Sequence, residues 1–113
     1  MVPPNSVASV WSRAIFQCFT DSKNSLRWNY FPPGAKEKQM IYNGEQLNVT
    51  FLPRYTVNTS STQKCDIIIK DVQLADAGLY RCDESRSTDA VEAQLIVIGI
   101  NLKILVVICM VVL

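Results

Sequence analysis

The chain has 113 residues, 49% of them apolar, and its 11 basic and 10 acidic side chains leave a net charge of +1. That length bounds it at one domain with one hydrophobic core, and the charge balance lacks the basic footprint of a nucleic-acid binder. No histidine occurs, which excludes His-based general acid–base catalysis, Ser–His and Cys–His nucleophiles and His-containing metal sites.

Met1-Val2-Pro3-Pro4-Asn5 carries neither a basic n-region nor an apolar h-region, so no secretory signal is read there and the expectation is a segment of a longer chain. Residues 3–9 form a Pro-rich polar arm with room for a short first strand. Ala14, Phe16 and Cys18 alternate with Ile15, Gln17 and Phe19, a period of two that predicts a strand with Cys18 facing inward. After a polar loop at 21–25, Leu26, Trp28 and Tyr30 alternate with Arg27 and Asn29 in a second strand, which Pro32-Pro33-Gly34 ends.

Gln39–Tyr42 reads as a further strand. Asn43-Gly44 predicts a type I′ hairpin turn, with Glu45–Leu47 as the return strand. Strands are also expected over 54–57, 65–69, 78–84 and 91–98. Asn48-Val49-Thr50 and Asn58-Thr59-Ser60 both match the N-glycosylation acceptor, so Asn48 and Asn58 are candidate glycan sites in a region expected to be rich in loops. From Ile104 to Leu113 all ten residues are apolar apart from Cys109. A spanning helix needs about 20 apolar residues, so residues 99–113 are expected to be a short stalk and the start of a membrane segment, with a packed apolar tail or a lipid-anchor signal as rivals.

The four cysteines, at 18, 65, 82 and 109, contain no C-x-x-C pair and permit three full pairings. With no histidine either, no metal or cofactor is expected. Cys65 alternates with Ile67 and Ile69 and reads as a buried thiol behaving as a small apolar residue. Cys109 reads as part of the apolar tail.

The densest signal is Asp71 to Cys82, in which Asp76-Ala77-Gly78-Leu79-Tyr80-Arg81-Cys82 places Tyr80 two residues before Cys82, on one strand face. This D-x-G-x-Y-x-C motif resembles the F-strand signature and tyrosine corner of the immunoglobulin superfamily. Cys18, Trp28 and Cys82 follow its Cys…Trp…Cys order, and the 39–47 hairpin resembles the extra C′ and C″ elements of variable-set domains. The resemblance covers about residues 8–98. It implies an all-β, two-sheet Greek-key V-type sandwich over residues 1–98, with the apolar tail following.

The resemblance further implies a Cys18–Cys82 disulfide in an oxidising compartment, Trp28 and Tyr80 in the core, and an Arg54–Asp76 ion pair closing the bottom of the sandwich. Strand 91–98 lacks the G-x-G bulge of antigen-receptor domains, which argues against receptor-style pairing of that kind. Variable-set surface proteins bind protein ligands, counter-receptors or other immunoglobulin domains through the G-F-C-C′ face. By alternation its outward residues here are Arg27, Asn29, Arg81, Asp83, Glu92 and Gln94. The expected function is therefore cell-surface recognition or adhesion, with the tail as membrane tether and no bond made or broken. An enzyme without histidine needs a carboxylate pair or an activated lysine in a cleft, and the motif gives Asp76 a structural role instead. An intracellular structural immunoglobulin module of a filament protein is the alternative.

Overall fold

A computed structural model describes residues 7–9, 13–21, 23–61, 63–99 and 105–112. Nine strands are described: β1 (Val7–Ser9), β2 (Ala14–Phe16), β3 (Leu26–Phe31), β4 (Gln39–Tyr42), β5 (Tyr55–Ser61), β6 (Lys64–Ile69), β7 (Gly78–Glu84), β8 (Ala90–Gly99) and β9 (Leu105–Val112). Short 3₁₀ turns occupy Val49–Phe51 and Leu74–Asp76. All pairings are antiparallel, in a back sheet ordered β2-β6-β5 and a front sheet ordered β1-β9-β8-β7-β3-β4.

Period-two alternation builds the core between these layers. From the back sheet come Ala14, Phe16, Cys18, Cys65, Ile67 and Ile69; from the front come Leu26, Trp28, Tyr30, Tyr80, Cys82, Val91, Ala93 and Leu95. Strand β7 alternates buried and half-buried along its whole length, as expected for a central strand with one face on the core. Phe16 stacks on Tyr80 at a centroid distance of 4.9 Å, and Tyr30 packs on Tyr80 at the same distance.

Two bonds cross between the layers at one point. Cys18 and Cys82 form a disulfide, and the Trp28 indole donates to the Cys65 carbonyl at 3.0 Å. The disulfide closes a 64-residue separation, worth about 4 kcal/mol in the chain-entropy account. Trp28 lies directly opposite Cys82 in the β3–β7 ladder, so indole and sulfur share one face.

The hairpin after β4 differs from the sequence expectation. Its turn centres on Gly44-Glu45, one residue later, with Asn43 N–H donating to the Gln46 carbonyl. Gly44 takes a positive φ of 101° while Asn43 stays on the negative side, so this is not a type I′ turn. It places glycine at the first central position, the arrangement of type II′. The Asn43 carboxamide oxygen accepts from the Glu45 and Gln46 amides at 2.8 and 2.7 Å, and this side-chain turn sets the register. The expected return strand at 45–47 is reduced to a single Tyr42–Leu47 bridge.

Residues 105–112 run beside β8, from Glu92 opposite Val112 to Gly99 opposite Leu105. Pairing therefore crosses the domain boundary expected near Ile98, and β1 pairs in turn with β9. Among the described residues no helix is long and apolar enough to cross a membrane.

Candidate protein-recognition face

Strands β8, β7 and β3 carry the six face residues expected from alternation, with β4 beside β3. The ladders put Arg27 opposite Asp83, Asn29 opposite Arg81, and Arg81 opposite Glu92. Directly opposed positions are those at which side chains meet, and both charge pairs form. Arg27 Nε lies 2.8 Å from Asp83 Oδ1, and Arg27 Nη2 donates to the Glu84 carbonyl at 3.3 Å. Arg81 Nη1 lies 3.7 Å from Glu92 Oε1, a looser contact. Gln94 is exposed on the same face, as is Met40 on β4.

Asn29 departs from the expectation. Alternation sets it on the outward face beside Arg27, yet it is only 1% exposed. Its register neighbours are Arg81 on β7 and Met40 on β4, and the β3–β4 register shifts between Trp28 and Asn29. The Asn29 carboxamide oxygen and the Arg81 Nε are both buried with no hydrogen-bond partner. Burying such atoms unpaired costs about 1–3 kcal/mol each, so Asn29 is a polar base to this face rather than part of its accessible surface.

Below the face lies the corner that leads into β7. Arg54 donates to both carboxylate oxygens of Asp76, at 2.7 and 2.9 Å. The same carboxylate accepts from the Tyr55 hydroxyl at 2.8 Å and from the Gln73 amide at 2.7 Å. Tyr80 donates to the Asp76 carbonyl at 2.6 Å and shares a 2.9 Å contact with the Tyr55 hydroxyl. From β3, Tyr30 donates to the Ala77 carbonyl at 2.5 Å. The hydrogen bond to Asp76 raises the Arg54 pKa above its ordinary value. Burial pushes the Tyr55 and Tyr80 hydroxyls far up, so both stay neutral and able to donate.

Gly78 opens β7 at φ +145°, and a Cβ there would come within 2.6 Å of Tyr30 Cε1 and 2.7 Å of the Phe31 carbonyl. Glycine is required by both the backbone angle and the space.

The sequence matches the immunoglobulin V-set domain over residues 3–97, and the observed layers, disulfide and corner have the geometry that family requires. The chain belongs to the immunoglobulin V-set family. No curated protein matches it in a direct sequence comparison.

The remaining features of this V-set domain are placed as follows. Asn48 caps the 49–51 turn: its Oδ1 accepts from Thr50 N–H at 3.0 Å, and its Nδ2 donates to the Met40 carbonyl at 2.9 Å. Asn58 is exposed but lies within β5, opposite Asp66, rather than in a loop. Cys65 is a buried free thiol; Cys109 lies in β9 opposite Leu95. No group of three or more Cys, Asp or Glu residues able to hold a metal occurs among the described residues. An open cleft of about 220 Å³ between the sheets is lined by Lys23, Asn24, Tyr42, Lys64 and Cys65, among others. Sequence reasoning missed Tyr30 and Tyr55 at the corner. The alternation that sets Tyr30 with Trp28, and the strand expected at 54–57, say nothing of the acceptor each tyrosine meets across the sandwich.

Proposed function

We propose that this V-set domain is an extracellular recognition or adhesion module that binds a protein partner through the β8-β7-β3-β4 face. The observation that carries this reading is the Arg27–Asp83 ion pair, held at 2.8 Å between directly opposed residues. Side chains ordered before binding lose less entropy when a partner arrives. The looser Arg81–Glu92 pair and exposed Met40 and Gln94 supply charge, apolar area and hydrogen bonding around that ion pair. That mixture suits a protein surface rather than a small ligand. A second immunoglobulin domain, of this chain or another, is the partner type the family analogy favours.

Glycans at Asn48 and Asn58 complete the proposal, with tethering through the apolar residues after 99 in a membrane-bound state in which 105–112 leave their pairing with β8. At Asn48 a glycan has to coexist with the Nδ2–Met40 bond, so Asn58 is the site with fewer competing contacts.

The test uses fluorescent tetramers of the domain on intact cells. Binding is expected to be abolished by Arg27→Glu with Arg81→Glu, and unchanged by Lys70→Glu, which lies exposed after β6. Equal loss in both variants, at unchanged melting temperature, contradicts the assignment of the face. Expression of the full gene product in secretory cells should give a mass that falls on glycosidase treatment. No change would instead favour the intracellular structural module.

A further inference from the structure

The back sheet brings a third sulfur to the inter-sheet bridge. Strand β2 pairs with β6 in a register that sets Phe16 opposite Ile67, and Phe19 lies opposite Lys64 in an isolated bridge beyond the strand end. The intervening residues keep this spacing, so Cys18 stands directly opposite Cys65, and the Cys65 amide donates to the Cys18 carbonyl at 2.9 Å. Both side chains are buried in the same core. Directly opposed antiparallel residues have Cα atoms about 4.5–5.5 Å apart, inside the range of about 4.4–6.8 Å that a disulfide takes. Cys18 therefore has two partners within covalent reach: Cys82 across the sandwich, to which it is bonded, and Cys65 beside it.

We propose that Cys18, Cys65 and Cys82 form an exchangeable three-sulfur unit, in which the inter-sheet bridge converts to a Cys18–Cys65 bridge within the back sheet. The Cys65 thiolate attacks Cys18 Sγ, the Cys18–Cys82 bond breaks, and Cys82 leaves as a thiolate. The proton lost by Cys65 is balanced by the one Cys82 gains, and no oxidant or reductant is consumed. The product keeps one disulfide but no longer ties the two layers together. It also frees a thiol on β7, opposite Trp28 and Val91, directly behind the recognition face.

Burial, with Asp66 beside it, pushes the Cys65 thiol up to about 12, which keeps the attacking thiolate scarce and the inter-sheet bridge persistent near neutral pH. The open cleft that reaches Cys65 is lined by Lys23, Tyr42 and Lys64. Lys64 is itself paired with Asp66 at 3.4 Å. These are the titratable groups around the thiol, and the cleft gives water a route by which its proton can leave.

The four cysteines fall on separate tryptic peptides, 14–23, 65–70, 82–86 and 104–113, because lysine or arginine precedes each peptide. The native full chain is incubated without reductant at about pH 7 and about pH 9.5, then quenched in acid denaturant, alkylated, digested and mapped by mass. Exchange rates follow the thiolate fraction, so the rate should rise about tenfold per pH unit. At the start, 14–23 should be joined to 82–86, with 65–70 alkylated. With time, 14–23 joined to 65–70 should appear, with 82–86 alkylated in equal amount. In Cys65→Ser the starting pairing should persist. Persistence of that pairing in the native chain, or a 65–70 to 82–86 linkage instead, overturns the proposal.

Discussion

Two arginine–carboxylate pairs, one at the corner before β7 and one across β7 and β8, have different consequences. At the corner, Arg54 is 28% exposed and Asp76 3%, and the pair is bidentate with two further donors on the same carboxylate. On the sheet face, Arg81 and Glu92 are 38% and 31% exposed and approach no closer than 3.7 Å. Their charges are alike, and the surroundings decide what each pair does. A buried carboxylate whose acceptor sites are filled becomes part of the fold, because removing any donor strands the rest. A half-exposed pair contributes little to stability and remains available to another molecule.

The largest expected effect comes from breaking the buried side of this comparison. Asp76→Ala should cost about 3–5 kcal/mol of unfolding free energy in urea, since Arg54, Tyr55 and Gln73 all lose their acceptor. Next is Gly78→Ala, where a strained backbone and a clash with Tyr30 and the Phe31 carbonyl should cost about 2–3 kcal/mol.

A smaller effect is expected from Tyr55→Phe, about 1–2 kcal/mol for a hydroxyl that donates to a charged group. This variant also has a pH signature. Tyr55 and Tyr80 have folded-state values raised above 10, so their stabilising effect is complete below the unfolded value and is lost as pH rises beyond it. The wild type should lose stability above about pH 10 in urea titrations, and Tyr55→Phe should flatten that loss. The smallest change is Glu92→Gln on the face, expected to shift stability by less than about 0.5 kcal/mol while weakening cell binding. A stability loss there as large as that of Tyr55→Phe would erase the contrast.

The front and back layers were legible because alternation at 14–18, 26–30, 65–69 and 78–84 marks one apolar face in each strand. The motif at 76–82 located the corner, since its glycine and tyrosine answer local demands of backbone angle and hydrogen bonding. Other features depend on contacts between distant segments. Tyr30 and Tyr55 reach acceptors in the 75–77 stretch, and nothing beside either tyrosine in sequence marks that meeting. Asn29 is buried although alternation puts it on the outer face, since its cover comes from neighbouring strands. The turn at 43–46 moved by one residue because the Asn43 side chain captures two amides, a competition that the Asn-Gly pair alone does not reveal. Cys18 and Cys65 face each other only once the β2–β6 register is set.

Paired double-mutant cycles in urea, one on Arg54 and Asp76 and one on Arg81 and Glu92, measure the contrast between the two regions without reference to any partner. The expected coupling is about 2–4 kcal/mol at the corner and below about 0.5 kcal/mol on the face. Equal couplings would mean that burial does not separate the structural pair from the available one.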